Sequence, residues 1–381
     1  MPITKAKDKN GKFIKKDGKQ KYRVRVNYTD SYGKNKQIER TAYGLDEAKQ
    51  LERELSHSVK EETPTKKMTF GKLYEEYMDV CKSETRESTQ LNKASRVRIH
   101  ILPTFESVRL DRLNIPVLQQ WKKELNEKNL KFESKRLIFR TFSGILNYAV
   151  KMEYMPKNPL DQIGNYKAPL EEVKEMDFYT PEEFQLFIAE ARNYAEQVDN
   201  LLHWSVYVFF CIAFYTGMRR GEISALNWND VKDGEVNITK THNPRLKSKS
   251  KITPPKNKSS IRRIQIPIPL QEVLDEHYER CKAVTGFTNE YFICGGINPT
   301  MHGTVDDANK RYARQAGLKR IRIHDFRHSH ASLLINHGIN IQEIAKRLGH
   351  ANINITLKTY SHLYPKESER ALTILNSVKI K

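Results

Sequence analysis

Cysteine is scarce in this chain, with only Cys81, Cys211, Cys281 and Cys294 among 381 residues. They are scattered, with neither the C-x-x-C spacing of a zinc site nor the density of a disulfide framework, so reduced, partly buried thiols are expected. Long apolar runs are lacking too. No stretch approaches the roughly 18 apolar residues that a membrane span requires, and no apolar segment of the secretory kind follows the basic start. A cytoplasmic, nucleoid-associated bacterial protein with no membrane partner is expected. Acidic residues are in short supply: 46 Asp and Glu face 66 Lys and Arg, leaving a formal charge of +20. Solubility needs only a few charges of either sign, so an excess of this size suits a polyanionic partner, nucleic acid above all.

The length exceeds one ordinary domain and suggests two or three. Residues 1–62 read as a small basic module, whose first 25 residues carry ten Lys and Arg against Asp8 and Asp17, a local charge of +8. Tyr22 to Tyr28 alternates as a half-buried strand does, Gln37 to Tyr43 can return as a second, and a helix from Leu45 to His57 with Asp46 as cap follows. Lys12, Lys21, Arg23 and Arg25 are its candidate DNA contacts. A polar, proline-containing linker over 59–67 precedes a helical domain over 68–163, with helices expected at 70–81, 87–99, 115–126 and 133–151. Lys93, Arg96, Arg136 and Arg140 are placed on its outward faces, toward phosphates. A second linker is expected over 158–174. The third unit, 175–381, opens on a capping box at Thr180-Pro181-Glu182-Glu183 and reads as mainly helical, with strands at 235–239 and 263–267. The expected fold is multidomain and mainly α: a small N-terminal β-sheet plus helix, a helical domain, and a mixed, mainly helical domain with a small β-sheet.

Four patterns in the last 170 residues belong together. The first is Tyr215-Thr-Gly-Met-Arg-Arg-Gly-Glu222, a break after an apolar helix. The second is the stretch 241–263, with eight Lys and Arg and no acid, among them Lys256, Lys258 and Arg262. So many like charges call for an anion nearby, and DNA backbone is the fitting one. The third is His324-Asp-Phe-Arg-His-Ser-His330, which puts His324 and Arg327 on one helical face. With no Cys nearby and no H-E-x-x-H spacing, it does not read as a metal site, and no cofactor is expected. The fourth is Leu348-Gly-His350 followed by Thr356-Leu-Lys-Thr-Tyr360.

Arg, Lys, His and Tyr are what metal-free transesterification of a phosphodiester requires. A phosphorane carries extra negative charge that planar guanidiniums bind in a fork. A phenol can attack and store the bond energy in a phosphotyrosine, and an ammonium can protonate the leaving oxygen.

In order and spacing, Arg219, Lys256, His324, Arg327, His350 and Tyr360 resemble the signature of the tyrosine recombinases, and the chain looks like an integrase of phages or integrative conjugative elements. The resemblance covers about residues 180–365. It implies the DNA breaking-rejoining fold with a SAM-like core-binding domain behind an arm-binding module. It implies that Tyr360 attacks the scissile phosphate to leave a 3′-phosphotyrosyl bond, that Arg219, Arg327 and His350 stabilise the phosphorane, and that Lys256 is the general acid. Lys251 and Lys258 compete for that last place. His324 would assist proton transfer at the tyrosine, and Glu222 would orient Arg219. Double-stranded attachment sites, a homotetramer on two duplexes, and an excision factor or host DNA-bending protein are the partners implied. A terminal helix over 367–378 would pack on a neighbouring subunit. A type IB topoisomerase and a non-catalytic sequence-specific DNA-binding protein are the other readings that these residues leave open.

Overall fold

The computed structural model describes residues 3–8, 11–29, 35–61, 68–167, 176–246, 251–255, 257–360, 375 and 377. The chain divides into two units, 1–172 and 173–381.

The first unit opens with a sheet. Strands β3 (Lys19–Thr29) and β4 (Asn35–Tyr43) pair antiparallel, with Lys21 opposite Tyr43 and Arg25 opposite Glu39, and β1 (Ile3–Lys5) and β2 (Lys15–Lys16) also pair with β3. The period of two sends Val24 under helix α1 (Leu45–Glu61), where it is buried with Ala42 and Ala48, and turns Arg23 and Arg25 to the exposed face. Alternation made β3, β4 and α1 legible. It gave no sign of β1 and β2, which are two or three residues long and lysine-rich.

A separate core follows, built by α2 (Phe70–Glu84), α3 (Glu87–His100), α4 (Leu102–Phe105), α5 (Ile115–Glu127), α6 (Phe132–Lys151) and α7 (Pro159–Ile163). Phe142 of α6 sits at its centre, edge-on to Phe70 at 5.1 Å and to Trp121 at 5.0 Å. The stretch expected to start a linker at 158 is instead α7: Asn158 Oδ1 accepts the Leu160 N–H at 3.0 Å and Leu160 is fully buried. Asn-Pro punctuates a loop, but it is equally an N-cap followed by proline at the first helical position.

In the second unit α8 (Pro181–Val198) starts on the expected capping box, with Thr180 Oγ1 accepting the Glu183 N–H at 3.2 Å and the Glu183 carboxylate accepting the Thr180 N–H at 2.9 Å. Helix α9 (Leu201–Thr216) is apolar on every side and is therefore the buried axis of the domain. After α10 (Arg220–Ile223), strands β5 (Val231–Lys232), β6 (Glu235–Ile238) and β9 (Arg262–Gln265) form an antiparallel sheet, and β7 (Thr241–His242) pairs with β8 (Ile252–Thr253) as a separate ribbon. Then come α11 (Ile268–Lys282), α12 (His302–Gln315), α13 (Asp325–Asn336), α14 (Ile341–Leu348) and α15 (Ile353–Tyr360), with α8, α11 and α13 packed on α9. Apart from Leu375 and Ser377, the terminal helix expected over 367–378 lies outside the described residues. Among the described residues no helix is long and apolar enough to cross a membrane.

Candidate active site

Two helix ends build the site. Helix α9 stops at Gly217, with φ 63°, and α14 stops at Gly349, with φ 70°, both in the left-handed region that favours glycine. Carbonyls at a helix C-terminus lack intrahelical partners and carry the negative end of the helix dipole. Basic side chains take them here. Arg327, 2% exposed, donates Nη1 to Gly217 O at 2.8 Å and Nη2 to Leu348 O at 2.7 Å. Arg347 Nη2 donates to Tyr215 O at 3.3 Å, Arg262 Nε to Arg347 O at 2.7 Å, and Arg219 Nη2 reaches Gly349 O at 3.5 Å. The carbonyls offset the repulsion among four guanidiniums. Burial, and after it the Arg219 charge, lower the Arg327 pKa to about 9, which still leaves the group charged in neutral solution.

Glu222 supplies the negative charge at the centre. It is 3% exposed; Oε1 accepts Arg219 Nη1 at 2.8 Å, and Oε2 accepts Arg262 Nη2 at 2.9 Å and the Arg219 backbone N–H at 3.0 Å. Burial pushes its pKa up, but Arg262 and Arg219 outweigh burial and hold it below the usual carboxylate range.

His350 lies against Arg327, whose Nη2 is 2.7 Å from its Nε2, while its Nδ1 is 2.7 Å from Thr356 Oγ1. Burial and the Arg327 and Arg219 charges lower its pKa to about 4, so the ring is neutral. Tyr360 ends α15 at 1% exposure, packed on Ala331, Ile335, Ile344 and Leu348. Its hydroxyl is 2.6 Å from Nδ1 of His328, and burial pushes the phenol up to about 12. His328 is not among the expected site residues, although its four-residue spacing from His324 puts the two on one face. Their rings meet edge-on at 5.2 Å, with His324 exposed. Desolvation and the Arg327 charge lower the His324 pKa. His330 points elsewhere, between Phe214 O at 2.8 Å and Arg347 Nε at 3.1 Å. Among the described residues no group of three or more His, Cys, Asp or Glu is arranged to hold a metal.

Lys256 lies outside the described residues, as does the side chain of Lys258. Two expected DNA contacts are placed inward. Arg262 shares its strand face with buried Ile264, leaving its side chain 6% exposed on Glu222, while Arg263 faces out. Lys93 turns onto α2, donating Nζ to Tyr77 Oη at 2.7 Å and to Cys81 Sγ at 3.4 Å. Lys12, Arg23, Arg25 and Arg140 are exposed and Lys21 and Arg96 half-buried; Arg25 pairs with Glu39 at 2.6 Å, and Arg136, half-buried, with Glu133 at 3.0 Å.

Arginines seated on helix ends, a histidine and a tyrosine are the groups that strand transfer through a tyrosine would require. Residues 178–367 match the phage integrase family, and residues 69–126 match the phage integrase N-terminal SAM-like domain. The ICEBs1 integrase of Bacillus subtilis strain 168 is 30% identical over 336 residues, which span 85% of this chain and 88% of that protein. A XerC-like tyrosine recombinase of Caldanaerobacter subterraneus is 26% identical across 100% of this chain and 96% of its own length. Among solved structures, the Tn1549 transposon integrase in complex with transposon right-end DNA superposes with a TM-score of 0.64 at 20% identity, over 82% of this chain and 100% of that one. A lambda integrase dimer on a core site gives 0.57 at 19% identity, over 76% and 97%. The chain belongs to the phage integrase family: it is a tyrosine recombinase that integrates and excises mobile DNA by site-specific strand exchange.

Proposed function

We propose that Tyr360 is the nucleophile of this recombinase and that Arg219, Arg327 and His350 bind the non-bridging oxygens of the phosphorane. The observation that carries the reading is the convergence of Arg327 on His350 and on the ends of α9 and α14, with Arg219 held to the same place through Glu222 and Gly349. Guanidiniums already seated on fixed carbonyls meet developing charge without reorganising, which is where electrostatic catalysis gains most. Lys256 is the general acid that protonates the 5′-oxygen, and His324 stands exposed one turn before Arg327. We assign 1–62, 68–163 and 175–381 to an arm-binding, a core-binding and a catalytic part, the first presenting Lys12, Lys21, Arg23 and Arg25 to DNA. Each duplex is cut and rejoined one strand at a time through a Holliday junction, within a homotetramer on two attachment sites. An excision factor or host DNA-bending protein sets direction, because exchange of like bonds is nearly isoenergetic. The Tn1549 integrase complexes with circular-intermediate DNA support double-stranded attachment sites as the partner. The test is Tyr360→Phe on a nicked duplex carrying the joined ends of the element: DNA binding persists and the covalent adduct disappears. An adduct formed by that variant overturns the assignment.

A further inference from the structure

We propose that His328 takes the phenolic proton of Tyr360 as cleavage begins, the part that resemblance assigned to His324. The inference rests on Tyr360 being the nucleophile and names the base that serves it. Nδ1 of His328 lies 2.6 Å from Tyr360 Oη, and the two rings meet at 5.5 Å between centroids. On the far side of the imidazole, Nε2 faces Asp325 Oδ1 at 4.0 Å. That carboxylate is 1% exposed and fixed by Arg322, whose backbone N–H donates at 2.8 Å and whose Nη2 donates at 2.7 Å. A carboxylate on that side favours the proton on Nε2, which leaves the Nδ1 lone pair aimed at the phenol. Carboxylate, imidazole and hydroxyl thus stand in the order used to activate a serine, with a phenol in its place and the carboxylate at ion-pair rather than hydrogen-bond distance.

The electrostatics agree. Burial, and after it the neighbouring His324, lower the His328 pKa to about 4, so its acceptor is vacant in neutral solution. So weak a base does not ionise a phenol in advance. The proton moves as the Oη–P bond forms and the phenol oxygen loses its hold on it. In that step the bond from phosphorus to the 5′-oxygen breaks, the phenolic proton passes to Nδ1, and the departing 5′-oxygen takes a proton from the general acid assigned to Lys256. The imidazolium is stabilised by Asp325 and returns its proton to Oη when the incoming 5′-hydroxyl reverses the step.

The experiment uses the full chain and a nicked duplex from the circular junction of its element, and reads the rate of covalent adduct formation, with DNA binding followed by mobility shift. His328→Asn keeps an acceptor beside Oη but no group able to carry the proton, and a loss of roughly 10²–10⁴-fold in rate is expected. Replacing Tyr360 by a trifluorinated tyrosine, whose phenol ionises more readily, should restore His328→Asn by more than about tenfold and leave His324→Asn unrestored. If His328→Asn loses DNA binding, His328→Ala with added imidazole takes its place, and restoration by imidazole is the supporting result. Adduct formation by His328→Asn at or above the unsubstituted rate means that the ring merely stores the tyrosine, and overturns the proposal. Restoration of His324→Asn alone, or no imidazole effect on His328→Ala, overturns it as well. No adduct from the unsubstituted chain counts instead against Tyr360 as nucleophile.

Discussion

Arg327 Nη2 and His350 Nε2 are 2.7 Å apart, and because a guanidinium only donates, His350 accepts there and carries its proton on Nδ1, toward Thr356 Oγ1 at 2.7 Å. Thr356 is fully buried, and among the described residues its hydroxyl is the group that meets His350 Nδ1. Thr356→Val keeps the shape and removes the acceptor. It should lower unfolding free energy by about 1–3 kcal/mol, the cost of an unsatisfied buried donor, and slow cleavage by releasing the tautomer. Thr356→Ser should restore both. Chemical denaturation and adduct formation rates check the pair; a stable, active valine variant would show that Thr356 does not set the ring.

Glu222 binds Arg219 and Arg262 at once, at 2.8 and 2.9 Å; the carboxylate and Arg262 are withdrawn from solvent, while Arg219 keeps one side open. Removing the carboxylate leaves the buried Arg262 guanidinium uncompensated beside Arg219, so Glu222→Ala should destabilise by about 3–5 kcal/mol and cost most of the cleavage activity. Arg262→Met should be milder, and the two changes together should cost less than their sum, since each partner is a liability only while the other is missing. A double-mutant cycle in urea measures this; strict additivity would dissolve the link.

The inward turn of Arg262 has a second consequence, read in salt. A residue that neutralises one phosphate contributes about one unit to the slope of log K against log salt concentration. Arg262→Met should leave that slope unchanged, whereas exposed Arg263→Met should reduce it by about one. Titrations of labelled core-site DNA across salt concentrations distinguish the two, and equal reductions would return Arg262 to the DNA backbone.

Stability should climb with pH through the weakly acidic range. His350, His328 and His302 are lowered to about 4, and His330, wholly buried, to about 3, in each case chiefly by burial. A histidine with a depressed folded pKa is protonated in the unfolded chain first. Between its unfolded value near 6.5 and its folded value the unfolded state therefore holds more protons, and stability falls as pH falls, by about 1.4 kcal/mol per pH unit for each proton. Unfolding near pH 5 should take up more than one proton, a number that calorimetry in buffers of different ionisation enthalpy reads out. Uptake below one would show that these rings are already charged in the fold.

Much of the candidate site, as a set of residues that the fold brings together, was legible in the sequence because it depends on identity and order. Arg219, Arg327, His350 and Tyr360 each stand in a short motif, and Glu222 stands one turn from the arginine it holds. What was not legible depends on side-chain direction. Arg262 and Arg263 are adjacent and identical, and only the strand register that buries Ile264 tells which one turns in. Lys93 looks like any surface lysine until α3 packs on α2 and brings Tyr77 to its Nζ. His328 and His330 sit within one motif, yet one meets the Tyr360 hydroxyl and the other a carbonyl of α9, a choice made by tertiary packing around α13. The fold divides the same way: long periodic helices were visible, while the short strands β1, β2, β7 and β8 have too few residues to carry a pattern.

Gly217 offers a test of whether the helix ends seat Arg327. A Cβ there would stand 2.7 Å from His330 Cδ2 and 2.9 Å from Leu348 Cδ2, on a residue whose φ of 63° already disfavours side chains. His330 cannot yield easily, being bonded on both ring nitrogens, and Leu348 carries the carbonyl on which Arg327 rests. Gly234 has the same backbone sign, φ 71°, but open space around it. Gly234→Ala should therefore cost only the left-handed strain, about 1 kcal/mol, and leave cleavage intact. Gly217→Ala pays that strain and the clash together, so it should lose at least about 2 kcal/mol more and slow adduct formation even where the protein remains folded. Equal melting temperatures for the two variants, or full activity in Gly217→Ala, would show that Arg327 finds its place without the exact meeting of α9 and α14.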